Sequence, residues 1–275
     1  MEYIDIITLF LLGSIGGFLS GFLGVGGGIV YVPILDYFLS KYGFSDNQLV
    51  KAILANSLFT IIFSGFISSY KQYKLGNFYP KEIIYTALAG TVSAVIVTFL
   101  IKTGNWYSKQ VFDYFFVVML LLIALRMLFA QSKNIIPNQS HTANPLAYST
   151  TGFFTGIITA MSGLGGGVIM TPIFTEILHQ DIKKASSISN GVIPIFALAV
   201  GILNLTATPA TYISNWQVGY IVFPIVAPMI VSAMLFAPIG VITSQKTKHQ
   251  LIRLFFAIFV STVFIKTVYA IIFKH

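Results

Sequence analysis

The chain has 275 residues, of which 56% are hydrophobic, 15% aromatic and only 9% charged, and its mean hydropathy is +0.85. A soluble domain carries roughly a quarter charged residues, so this composition excludes an ordinary water-soluble enzyme and a disordered chain and points to a polytopic membrane protein. The formal charge of +8 lies between long apolar runs, as loop and headgroup charges do, so no nucleic-acid partner is expected; the absence of cysteine removes thiolate metal sites, disulfides and cysteine catalysis.

A helix needs about 20 apolar residues to cross the hydrocarbon core. The first run of that length, 4–23, follows Glu2 and Asp5 instead of a basic region and has no small-residue cleavage site, so it reads as a span and not a signal peptide. Gly24-Val25-Gly26-Gly27-Gly28 comes next, then a run too short to cross, 29–39. Three long runs follow at 49–70, 83–101 and 111–130, and a polar linker over 132–145, predicted to be cytoplasmic, divides a first repeat (1–131) from a second (146–275). The second half repeats the order: 146–162, the cluster Gly163-Leu164-Gly165-Gly166-Gly167, a short run 168–178, then long runs at 185–205, 218–243 and 251–273. The predicted fold is all-α and polytopic, with two repeats that each hold one glycine-broken helical hairpin and three spanning helices.

Shifted by 139 positions, the two halves match without a gap: Gly13, Gly17 and Gly24 fall on Gly152, Gly156 and Gly163, Gly26 to Gly28 on Gly165 to Gly167, and Pro33 on Pro172. After a change of register, Lys51-Ala52 matches Lys184-Ala185, and Asn56-Ser57 falls on Ser189-Asn190. The loop 71–81 holds three lysines and 246–253 holds two lysines and an arginine, whereas 204–215 holds no charge. Cytoplasmic loops collect Lys and Arg, so the first two are predicted inside and the third outside. Equivalent loops then lie on opposite faces, which predicts inverted repeats, with both termini extracytoplasmic and Arg126, Lys133 and Lys183-Lys184 inside. Inverted repeats with broken helices are the architecture of secondary transporters, whose substrate sits near the midplane.

Successive glycines break a helix and free backbone N–H groups, which inside a membrane need a partner. A proline five residues beyond each cluster fits the first turn of a new helix, so two helix N-termini are expected to meet near the midplane and cradle an anion. Gly13, Gly17 and Gly21, with Gly152, Gly156 and Ala160, have the spacing of close helix packing. Asn56, Ser57, Ser189 and Asn190 lie about two turns into their helices, where they can donate to an oxyanion or join helices. The candidate substrate-binding set is Gly26, Gly27, Gly28, Asn56, Ser57, Gly165, Gly166, Gly167, Ser189 and Asn190, with Ser162 and Thr171 flanking the second break. Lys51 and Lys184 sit at opposite mouths, either recruiting anions or marking helix ends, and Lys266 is near enough to its helix end to snorkel. Asp36, Asp113 and Glu176 are the only acids near span interiors available to a coupling proton or cation. No catalytic residue, metal site or cofactor is expected: Ser20 stands in a span, but His141, His179, His249 and His275 all fall in loops or at the terminus. A channel with glycine-rich re-entrant loops and a non-transporting accessory subunit are the alternatives to a transporter.

The duplicated GFLSGFLGVGGGIVYVPIL and GLGGGVIMTPIF, each followed by an alanine and a small polar pair, resemble the sulfite exporter TauE/SafE family of integral membrane proteins over essentially the whole chain. The resemblance implies movement of a small sulfur oxyanion or organosulfonate, sulfite-like, across a prokaryotic cell membrane, driven by an ion gradient. It also implies substrate contacts at the two glycine triplets and at the two polar pairs.

Overall fold

A computed structural model describes residues 2–129, 144–247 and 249–273. The predicted linker lies outside the described residues except for its last two. The first half folds as α1 (Tyr3–Leu23), α2 (Gly28–Lys41), α3 (Asp46–Lys74), α4 (Pro80–Thr103) and α5 (Lys109–Phe129). The second half folds as α6 (Pro145–Ser162), α7 (Gly167–Pro172) with a π-helical turn (Ile173–Ile177), α8 (Ile182–Leu205), α9 (Phe223–Lys246) and α10 (His249–Phe273). Among the described residues, α1, α3, α4, α8 and α9 are long and apolar enough to cross a bilayer. The chain is an all-α polytopic membrane protein.

The glycine-broken segments fold back as hairpins. At the open end of the first, Asp5 of α1 receives Lys41 Nζ at 2.9 and 2.8 Å and the hydroxyl of Tyr42, and at its closed end Gly27 packs on the Gly16 carbonyl and the Tyr31 ring. With 14 residues α2 is about 21 Å long, short of the roughly 30 Å hydrocarbon core, so the hairpin returns to the end of the bundle from which it started. In the second half the Tyr148 ring, near the start of α6, meets Phe174 of the π-helical turn at 5.4 Å between centroids.

Polar contacts at the helix ends fix direction. Lys102 Nζ donates to the Leu203 carbonyl, joining the C-terminal ends of α4 and α8, and Lys184 pairs with Glu82 at 3.2 Å, joining their N-terminal ends. Helices α4 and α8 therefore run parallel, and α3, which precedes α4 across the tight connection 75–79, runs antiparallel to α8. The packing partners recur with the halves exchanged: α1 lies on α9 and α6 on α4, α3 on α9 and α8 on α4, while α3 meets α8 and α5 meets α10. Small residues permit the closest of these approaches. A Cβ at Gly17 would lie 2.5 Å from the Ala233 Cα, and one at Gly156 would lie 2.2 Å from the Gly90 carbonyl oxygen.

Two sequence expectations change. The apolar run from 218 does not begin a helix: Gln217–Val218 and Ile221–Val222 pair as an antiparallel ribbon turning at Gly219 (φ +57°), and α9 starts at Phe223. The prolines are also the sixth helical residues and not in the first turn. A proline there removes one helical hydrogen bond, and beyond Pro172 the chain changes to the π-helical turn.

Candidate functional site at the glycine breaks

The two breaks have the same backbone conformation. Gly24, Gly26 and Gly27 have φ of +71°, +81° and +81°, and Gly163, Gly165 and Gly166 have +69°, +85° and +76°. These left-handed values require glycine, which explains three positions in each cluster. The last glycine of each cluster has helical geometry and is explained by packing. A Cβ on Gly28 would stand 2.5 Å from Leu164 Cα and 2.6 Å from the Gly163 oxygen, and one on Gly167 would stand 2.2 Å from the Gly24 oxygen and 2.8 Å from Val25 Cα. Each break thus packs, backbone on backbone, against the other.

The middle glycines share one cover. Positions for a Cβ on Gly26 and on Gly165 both fall 3.2 to 3.5 Å from side-chain atoms of Ile61 on α3 and Ile193 on α8. Serines tie down break carbonyls: Ser57 Oγ donates to Gly163 O at 2.7 Å and Ser64 Oγ to Gly26 O at 3.3 Å. Ser162 Oγ accepts from the Leu164 N–H at 3.2 Å. The N–H groups of Gly26 to Gly28 and of Gly165 to Gly167 have no acceptor among the described residues. With only six α-helical residues, α7 has little macrodipole, so the donors at the second break are these amides more than a helix end.

The polar pairs divide. Ser189 Oγ meets Thr171 Oγ1 at 3.2 Å beside the second break. Asn56, fully buried, turns to the ribbon: its Nδ2 donates to the Ala52 and Tyr220 carbonyls, both at 2.7 Å, and its Oδ1 accepts from the Val222 N–H at 2.8 Å. Both of its N–H donors and its carbonyl oxygen are engaged by backbone. Burial raises the Tyr220 hydroxyl above the ordinary tyrosine range, so it stays protonated and donates to Gln48 at 2.9 Å, fastening the ribbon to α3.

Asn190 is the opposite case, with no exposure and no partner for either Nδ2 or Oδ1. One turn earlier on α8, Ser186 Oγ is also buried without a partner, and it packs on Gly24. The Tyr31 hydroxyl is a third such group, on a ring wedged between Gly16 and Gly27. Unpartnered buried polar atoms are few in native structures, and here Asn190 and Ser186 stand one turn apart on α8, the latter against the first break.

The contacts also correct the register. A shift of 132 relates equivalent positions on α3 and α8, not 133. Ile61 and Ile193 both cover the middle glycines, Leu54 packs on Gly163 as Ser186 packs on Gly24, and Lys51 and Lys183 both donate to a carbonyl near the end of the following helix, Lys102 and Gln245 respectively. Asn190 is then the counterpart of Leu58 and not of Ser57. Asp36 and Asp113 share Lys109 at the bundle end, away from the breaks. Sequence reading missed Lys102 and Thr98, which line a pocket with Lys51; as a lone lysine at a helix end and a lone threonine in a span, neither carried a signal.

Residues 9–267 match the family model described as sulfite exporter TauE/SafE. The chain is similar to a probable membrane transporter protein of Methanocaldococcus jannaschii, 28% identical over 246 residues that cover 90% of this chain and 89% of the relative. It is also similar to a probable membrane transporter protein of Haemophilus influenzae, 25% identical over 266 residues, covering 94% and 96%. No solved structure matches.

Proposed function

The chain belongs to the sulfite exporter TauE/SafE family of membrane transporters, and on that premise we propose that it carries a small sulfur oxyanion or organosulfonate, sulfite-like, across the plasma membrane by alternating access. The observation that carries this reading is the meeting of the two glycine breaks, one from each half, with unbonded N–H groups and with the unpartnered Asn190 carboxamide one turn along α8 from Ser186, which packs on Gly24. Neutral donors of this kind bind an oxyanion without a fixed cation. The substrate contacts are Gly26 to Gly28, Gly165 to Gly167, Ser57, Ser189 and Asn190; Asn56 acts instead on the ribbon. Ile61 and Ile193 close the space between the breaks in this conformation, and the site opens to one side or the other when the halves separate.

The antiparallel course of α3 and α8 and the exchanged packing partners support an inverted relation between the halves, and the basic loops 71–81 and 246–253 support extracytoplasmic termini. The chain has no cysteine, so single cysteines report topology directly. Cysteine at Gly76, where a side chain meets nothing within 4 Å, is expected to label from the cytoplasm, and cysteine at the exposed Tyr212 from outside. Labelling of both from one side would overturn the inverted arrangement.

Transport is tested in proteoliposomes with radiolabelled sulfite, thiosulfate, sulfate and a sulfonate, with and without an imposed pH gradient. The expected result is saturable accumulation of one of these anions that follows the gradient. Unitary currents without accumulation would replace the transporter with a channel, and no movement of any of them would leave an accessory subunit.

A further inference from the structure

A narrow pocket opens at the bundle end where α4 and α8 finish, lined by Lys51, Thr98, Lys102 and Asn204, with Leu54 also in its wall. Lys51 is only 8% exposed, and its Nζ donates to the Lys102 carbonyl at 2.9 Å, while Lys102 Nζ donates to the Leu203 carbonyl. Among the described residues neither lysine pairs with a carboxylate.

The other end of the molecule supplies the control. Lys183 makes the same contact there, to the Gln245 carbonyl at 2.9 Å, but the adjacent Lys184 is paired with Glu82 and the N-cap of α8 is Asp181. Capping a helix C-terminus accounts for the carbonyl contact of each lysine, Lys51 on α4, Lys102 on α8 and Lys183 on α9. It does not account for a second ammonium group beside Lys51 with no acid, nor for Thr98 Oγ1, buried and without a partner in the wall of the same pocket. Two neighbouring cations, Lys51 buried and Lys102 half-buried, held only by neutral carbonyls are short of negative charge, and a small dianion supplies it.

We propose that Lys51, Lys102 and Thr98 form an anion-binding vestibule for a small divalent oxyanion. The proposal deepens the transport reading, from which it takes the class of the ligand. Leu54 connects the vestibule to the central site: it lines the pocket, and its Cδ2 lies 3.2 Å from the position of a Cβ on Gly163, so the inner wall of the vestibule is the outer side of the second break. In this conformation there is room for about one water. An anion with three or four oxygens enters as the ammonium groups leave their carbonyls, which the flexible lysine stems allow, and Thr98 adds a third donor. The size of the pocket selects against bulky organic anions.

The test is calorimetric titration of the purified full-length protein with sulfite, sulfate and thiosulfate, after size-exclusion and circular-dichroism checks of folding. Saturable binding of at least one anion is expected for the unaltered protein. Lys102→Gln should weaken it about tenfold or more, Lys51→Gln similarly, and Thr98→Val about fivefold, whereas Lys183→Gln, which removes the matching carbonyl contact at the other end of the molecule, should leave it within about twofold. If no anion binds, or if Lys102→Gln and Thr98→Val bind as the unaltered protein does, the vestibule is overturned. Binding lost in Asn190→Leu and kept in Lys102→Gln would place the anion at the breaks alone, removing the vestibule and leaving the transport reading intact. Lysine-dependent binding with no flux in proteoliposomes would remove transport and leave the vestibule.

Discussion

Alanine at Gly28 or at Gly167 should destabilise the purified protein by about 3 kcal/mol or more and stop transport, although neither substitution strains the backbone torsions. Overpacking typically costs about 1–3 kcal/mol when neighbouring side chains can rotate away. Here the opposing atoms are backbone: Leu164 Cα and the Gly163 oxygen at 2.5 and 2.6 Å from a Cβ on Gly28, and the Gly24 oxygen at 2.2 Å from one on Gly167. Only a displacement of one break from the other relieves the contact. Because both substitutions act on one interface, their costs should not add: once the first has moved the breaks apart, the second finds room. Gly76→Ala is the control for glycine as such. Its φ is +71° but nothing lies within 4 Å, so it should cost only the left-handed penalty of about 1 kcal/mol. The readout is the thermal midpoint of each variant in detergent, beside its flux. Single and double variants that melt like the unaltered protein would show that the breaks do not touch.

The same glycines explain how much of the architecture was legible beforehand. A duplicated pattern at constant spacing reports a backbone conformation, because left-handed torsions at Gly24, Gly26 and Gly27 admit almost no other residue, and the same holds for Gly163, Gly165 and Gly166. Helix lengths followed for a similar reason, since the bilayer sets them. What hydropathy could not distinguish was the ribbon at 217–222, whose residues are as apolar as a span but whose hydrogen bonds go to Asn56, far away in sequence. The register between α3 and α8 slipped by one because Lys183-Lys184 offers two partners for Lys51 and small polar residues offer two for Ser57. That slip set Asn190 opposite Ser57 when its counterpart is Leu58, and of the two asparagines one holds backbone while the other has no partner. Lys102 and Thr98 were invisible for a different reason: a pocket walled by α3, α4, α6 and α8 has no signature in any one of them.

Asn190→Leu should reduce transport at least a hundredfold and at the same time raise stability by about 1 kcal/mol or more, a pairing of effects that few buried substitutions show. A buried polar group with no partner costs about 1–3 kcal/mol, and leucine keeps the same branched four-atom skeleton without that penalty. Asn190 has two such atoms, and its counterpart at the shift of 132 is already Leu58, so the fold accepts leucine at the equivalent place. Asn56→Leu should do the reverse. It removes the acceptor for the Val222 N–H and the donors to the Ala52 and Tyr220 carbonyls, and orphaning those groups should destabilise by about 3 kcal/mol or more. It should also open the 206–222 connection to protease. The opposite signs make the comparison decisive, because two asparagines of equal burial are separated by function alone. If Asn190→Leu is destabilised as much as Asn56→Leu, the Asn190 carboxamide is engaged structurally and the central site loses its best side-chain donor. If it is stabilised and still transports at the unaltered rate, the substrate is held by the break amides and the serines without it. Stability gained with transport lost is the result that identifies a polar group kept unpaired for a ligand.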